Sequence, residues 1–153
     1  MARSLVRLVL FLLCAVSAFA QAAPPAAYDA DRAAIKQAAL DYVEGWYAGD
    51  AERMARAVHP ELVKRIVRTD PKTGRAMVQQ MGASTLIEFT RAGGGKNTPA
   101  DKQQKDVDIL DVFGNTASVR ATMSDWIDYM HLAKFNGRWV IVNVLWEMKP
   151  KQP

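Results

Sequence analysis

Acid–base chemistry near neutral pH rests most often on His, Asp, Glu and Tyr. This 153-residue chain has two histidines, His59 and His131. His131 closes the segment Trp126-Ile-Asp-Tyr-Met-His131, two residues after Tyr129 and three after Asp128. Residues two apart share a face of a strand, so Tyr129 and His131 point one way and Asp128 the other. On an otherwise apolar face, Tyr129 and His131 could line a ligand pocket, because pockets are mostly apolar with a few convergent polar groups. They could equally form a self-satisfied Tyr–His–Ser network in a core. Asp128, among apolar neighbours, could be an acid or base with a raised pKa, or a polar spot in an interface. His59 precedes Pro60 and could act as a base at a cavity rim. A helix-ending His is also simply favourable next to the helix dipole.

Other chemistries are poorly served. No H-x-x-x-H or H-E-x-x-H spacing occurs, so neither a metal site nor a bound cofactor is expected. Gly93-Gly-Gly-Lys96-Asn97 lacks the spacing of a phosphate loop and reads as a helix terminator followed by a flexible loop. No G-x-S-x-G is present. The one cysteine, Cys14, lies in a segment expected to be removed. There Arg3 and Arg7 precede the apolar run Leu8–Val16, and Ala18-Phe19-Ala20 is a cleavage pattern. Residues 1–22 are therefore read as a signal peptide, and the protein as exported, to a periplasm or the exterior. The apolar run falls short of the ~20 residues a bilayer span needs. Without Arg3 and Arg7 the charge falls from 20 − 16 = +4 to 18 − 16 = +2. The basic residues are scattered, so no nucleic-acid partner is expected.

The elements that must position these side chains can be read in outline. A leader over 23–28, with Pro24-Pro25, precedes a single domain over 29–149 and a short tail, 150–153. Ile35, Ala39, Tyr42, Val43 and Trp46 recur at helical spacing from about Asp29 or Asp31 and end at Gly49. Asp50 caps a short second helix carrying Met54, Ala57 and Val58, stopped by His59-Pro60. Leu62–Arg68 and Arg75–Met81 read as strands around the turn Asp70–Gly74. Ser84 is read as the cap of a third helix, Thr85–Arg91. A β-meander follows over about 106–113, 116–124, 126–135 and 138–148. Helices first and an antiparallel sheet after them argue an α+β fold.

The last hairpin carries the most information. Asn136-Gly137 between two β-rich runs is a strong hairpin signal, because both central residues of a type I′ turn need positive φ. A two-residue loop sets Phe135 opposite Arg138, His131 opposite Val142, Tyr129 opposite Val144 and Ile127 opposite Trp146. Trp146 then joins Tyr129 and His131, while Asp128, Met130, Ile141 and Asn143 share the other face as an interface. If Ser124-Asp125 is also a two-residue loop, Arg120 opposes Tyr129 and Ser118 opposes His131. Tyr42 and Trp46 could close the same pocket from the first helix, or be plain core.

Three blocks carry a resemblance to a known family: Tyr42-Val-Glu-Gly-Trp-Tyr-Ala-Gly-Asp50, His59-Pro-Glu-Leu-Val-Lys64, and Asp128 through Trp146. Together the chain resembles the putative lumazine-binding family of the nuclear transport factor 2-like superfamily. The resemblance implies a cystatin-like cone: a strongly curved antiparallel sheet wrapped on three N-terminal helices around a cavity, with a homodimer through the sheet face. The superfamily contains binders as well as isomerases and dehydratases, so it does not settle the function. The leading expectation is an exported, non-catalytic protein holding a planar, pterin-like ligand. Its site would comprise Tyr42, Trp46, His59, Arg120, Tyr129, His131 and Trp146. A proton-transfer enzyme and a dimeric interaction module are the alternatives.

Overall fold

The computed structural model describes residues 25–150, with side chains from Tyr28 onward. The expected signal peptide and the last three residues lie outside the described residues. Helix α1 spans Pro25–Ala48. It starts earlier than the apolar stripe suggested, with Pro25 at a first-turn position where its missing N–H costs nothing. Ile35, Ala39, Tyr42 and Val43 form its buried side. Gly49, at φ +66, ends it. The Asp50 side chain then accepts from the Arg53 amide at 2.9 Å and caps α2, Ala51–Ala57. Arg53 ties the two helices together, donating to Asp41 at 2.8 Å and also to Glu44.

Strands β1 (Val58–Thr69) and β2 (Ala76–Gly82) form a hairpin, and α3 covers Ala83–Arg91. β1 begins four residues earlier than expected, with Pro60 in an irregular stretch between Val58 and Val63 where its missing donor is tolerated. The cap of α3 is Gly82, with no side-chain bond, so Ser84 lies inside the first turn and not at the cap. Next come β3 (Lys105–Phe113), β4 (Thr116–Met123), β5 (Trp126–Phe135) and β6 (Arg138–Met148). The six strands lie in the order β2-β1-β6-β5-β4-β3. All neighbours are antiparallel except β1 and β6, which run parallel. The sheet is curved and unclosed, and the three helices pack against its inner face. That face presents Val119, Ala121 and Met123 of β4, Met130 and Leu132 of β5, and Ile141 and Val144 of β6, all buried. Among the described residues, no helix is long and apolar enough to cross a membrane.

The β5–β6 register corrects the sequence reading half-way along. Asn136 and Gly137 take φ of 49° and 81°, as a type I′ turn requires. Pairing runs as expected from Phe135↔Arg138 to Leu132↔Ile141. A β-bulge then leaves Val142 unpaired, and His131 meets Asn143. Beyond it Asp128, not Ile127, stands opposite Trp146. One extra residue moves everything after it to the other face. Trp146 therefore joins Asp128 and leaves Tyr129 and His131. Asn143 parts from Asp128 and turns outward, where it accepts from Arg65 at 2.9 Å. The β4–β5 register is the expected one: Thr122↔Ile127, Arg120↔Tyr129 and Ser118↔His131.

Candidate functional site

On the inner face, one end of the helix layer leaves an apolar cavity of about 210 Å³. Helix α1 contributes Tyr42 and Trp46, one turn apart. β1 contributes Lys64, β5 Trp126, and β6 Trp146. Met81, Leu86 and Phe89 close the β2–α3 side. The three indoles meet edge to face: Trp46 and Trp126 at 5.8 Å and 82°, Trp126 and Trp146 at 5.9 Å and 69°. Such arrangements suit the ring quadrupole and hold each indole in a fixed orientation.

An ion pair lies at the back of this cavity. Lys64 and Asp128 are 5% and 0% exposed. The Lys64 ammonium donates to the Asp128 carboxylate and, at 2.7 Å, to the Tyr42 hydroxyl. Trp126 Nε1 donates to the other Asp128 oxygen at 3.0 Å. Both Asp128 oxygens are thus satisfied, which is what makes a fully buried carboxylate tolerable. The ammonium also sits 4.8 Å from the centre of the Trp146 ring, 5.3 Å from Tyr42 and 6.0 Å from Trp126, within cation–π range. Burial pulls the Lys64 pKa below its usual value, and Asp128 opposes that pull. Burial, reinforced by the Asp128 charge, pushes the Tyr42 hydroxyl well above its usual value, so it keeps its proton. Two of three Lys64 N–H groups are committed, and the Tyr42 hydroxyl accepts one of them. The Tyr42 O–H is held by the Asp128 carboxylate, so one ammonium N–H remains as a donor beside an apolar hollow.

The expected site residues divide sharply. Tyr42, Trp46 and Trp146 line the cavity. Arg120, Tyr129 and His131 lie on the opposite, outer face of the sheet, because they alternate with the inward Val119, Ala121, Asp128 and Met130. There Arg120 pairs with Asp108 at 2.7 Å, Tyr129 is about half exposed (48%), and His131 lies 3.3 Å from the Asn143 amide. His59 stacks on Phe135 at 4.5 Å, and its Nδ1 accepts from the Glu61 amide, away from the cavity. Among the described residues, no cluster of metal-ligating side chains forms.

Lys64 and Trp126 went unrecognised. A signal for Lys64 existed: in Leu62-Val-Lys64-Arg-Ile66 it alternates in phase with two apolar residues, which places it on their face. The glycine run also has a second role. Gly93, at φ +84, does terminate α3. Gly94 and Gly95, however, are the surface against which Trp46 packs. A Cβ on Gly94 would fall 2.4 Å from Trp46 Cη2, and one on Gly95 2.5 Å from the Trp46 carbonyl oxygen. Only glycine admits the indole at that distance.

Comparison with known proteins agrees with this architecture. Residues 30–147 match the family described as "Putative lumazine-binding". The chain belongs to that family. No curated protein matches it. Among solved structures, it resembles a nuclear transport factor 2-like protein of unknown function from Shewanella baltica. There the identity is 21%, 81% of this chain and 98% of the other are covered, and the TM-score is 0.62. It also resembles one from Methylobacillus flagellatus (22% identity, 79% and 94% coverage, TM-score 0.59). A third, from Novosphingobium aromaticivorans, is described as having a cystatin-like fold (13% identity, 83% and 87% coverage, TM-score 0.60). At these identities the likeness is one of fold.

Proposed function

We propose that the protein binds a small, planar, ring-shaped molecule in the inner-face cavity, between the indoles of Trp46, Trp126 and Trp146. The observation that carries this reading is a buried Lys64–Asp128 pair placed at the wall of an apolar, tryptophan-lined hollow. Buried ion pairs are costly to assemble and contribute little net stability, so packing alone does not account for this one. Size supports a ligand of one or two fused rings. An apolar cavity of about 150 Å³ takes up benzene, and this one is about 210 Å³. The remaining N–H of Lys64 suits a ring carbonyl, while the indole faces suit the ring itself. A pterin or lumazine meets both demands, and the family description points the same way. Export by the 1–22 segment and self-association through the outer face, where Tyr129 and Leu145 are about half exposed, belong to the same proposal. Titration of intrinsic tryptophan fluorescence with lumazine, riboflavin and a steroid panel tests it. Lumazine should quench, and Trp146→Phe should weaken binding; no response to any panel member would remove the reading.

One observation favours a second reading, a cavity enzyme working by proton transfer. That role needs a titratable group in the cavity within hydrogen-bond reach of a tyrosine, and Lys64 lies 2.7 Å from the Tyr42 hydroxyl. In that role the neutral amine of Lys64, the form that burial favours, would be the base and Tyr42 the donor to a developing oxyanion. Deuterium exchange into a bound enolisable ketone, lost in Lys64→Met, would support catalysis; its absence across the panel leaves binding alone.

A further inference from the structure

We infer that the ligand carries an anionic substituent, held at the cavity mouth by Arg68. This inference rests on the binding reading above and specifies the class of molecule. On β1 the inward positions are Leu62, Lys64, Ile66 and, at the end of the strand, Arg68. Arg68 stands four residues beyond Lys64 on the same face, so a ring lying against Lys64 would point its outer edge toward Arg68.

A second hollow, of about 580 Å³, shares Lys64, Met81, Phe89 and Trp146 with the inner cavity. It forms the wider approach to it between β1, β2 and α3. Its wall adds Arg68, Gln79 and Gln80. The charged residues of that wall are both cations, Lys64 and Arg68; the carboxylate Asp125 lines the inner cavity and not this wall. Lys64 is already neutralised by Asp128. Arg68 is different: among the described residues no carboxylate lies within ion-pair distance of it. Its guanidinium is 5.8 Å from the centre of the Trp146 ring, within cation–π range, which favours a position beside the cavity wall. The neighbouring Arg65 points the other way, onto Asn143 of the outer face. The mouth therefore has one uncompensated cation, positioned by the same tryptophan that walls the ring site. A guanidinium recognises a carboxylate or a phosphate through paired N–H donors, and both share that chemistry.

Two matched pairs of probes test this: pterin against pterin-6-carboxylate, and riboflavin against its 5′-phosphate. Dissociation constants are measured by calorimetry at low and high salt for the wild type, Arg68→Gln, Arg68→Glu and, as a control, Arg65→Gln. The anionic member of a pair should bind about three- to tenfold more tightly at low salt, and added salt should shrink that advantage. Arg68→Gln should abolish the advantage with little effect on the neutral member, Arg68→Glu should reverse it, and Arg65→Gln should retain it. If charged and neutral members bind the wild type equally, or Arg68→Gln weakens both alike, the inference is wrong while the cavity reading stands. If no member of either pair binds, both fail together.

Discussion

Asp128→Asn changes one atom of a fully buried side chain and leaves its shape intact. The amide oxygen can still accept one bond, but the Lys64 ammonium, 5% exposed, loses the charge that offsets its burial. Removing one partner of a buried pair costs about 3–5 kcal/mol. Against a total stability of about 5–15 kcal/mol for a domain, that is a large fraction. For roughly 126 described residues, each kcal/mol corresponds to about 3–5 °C in Tm, so the variant should melt roughly 10–20 °C lower. The pH dependence provides a second reading. Burial already lowers the Lys64 pKa, and without Asp128 nothing opposes it. The unfolded chain keeps the ordinary lysine value, so between the two values the unfolded state binds the extra proton. Stability of the variant must then rise with pH up to that ordinary value. The deficit relative to wild type should therefore shrink as the pH is raised toward the ordinary lysine value. Urea denaturation followed by tryptophan emission suits the measurement, since Trp126 and Trp146 adjoin the pair. The double variant Lys64→Met/Asp128→Asn should be at least about 2 kcal/mol more stable than the sum of the losses in Lys64→Met and Asp128→Asn predicts. A loss below about 1 kcal/mol for Asp128→Asn, indifference to pH, and additive singles would together refute the claim that these two residues depend on each other.

Three other perturbations probe what holds the site. Gly95→Ala should cost about 1–3 kcal/mol by overpacking and weaken ring binding, because the new Cβ meets the Trp46 backbone. Gly82→Ala, whose nearest neighbour would be 3.8 Å away, meets no clash and should cost only the weaker N-cap preference of alanine, about 0.5–1 kcal/mol, with ring binding kept. Deleting Val142 removes the bulge residue and leaves Asn143 opposite His131 and Trp146 opposite Asp128, so Trp146 should stay inward; unchanged tryptophan emission and retained ring binding are expected, and a red-shifted emission with loss of ring binding would contradict the register argument. Asp31 accepts from Lys134 at 2.7 Å and Trp139 at 2.9 Å, which lowers its pKa below 3.8. Its contribution is therefore present above that value and lost as pH falls through the lower folded value. Wild type and Asp31→Asn should converge in urea stability at the acid end; a constant gap would sink this account.

Local chemistry made much of the fold legible. Asn136-Gly137 determined the turn, since two adjacent positive φ angles leave few other residue choices. The α1 stripe, the Gly49 terminator and the Asp50 cap were readable because each depends on residues within one or two turns. The blocks from Tyr42 to Trp146 carried the family. The faces of β6 were not legible past Ile141. Val140-Ile-Val-Asn-Val-Leu-Trp146 is apolar on both sides, and a bulge in such a run leaves no break in alternation to detect.

By itself, then, the sequence determined the element order, the α+β class and the type of the last turn, all of which follow from contacts between near neighbours. Only the tertiary structure decided where chemistry is possible. The bulge at Val142, the parallel pairing of β1 on β6, and the meeting of Lys64 with a carboxylate 64 residues away depend on chain segments that come together only on folding. They turned Trp146 and Asp128 inward, left Tyr129 and His131 outside, and made an inconspicuous lysine the centre of the cavity. Burial gives that lysine its altered pKa, and burial is a property of the packed fold, not of the residues beside it in the chain.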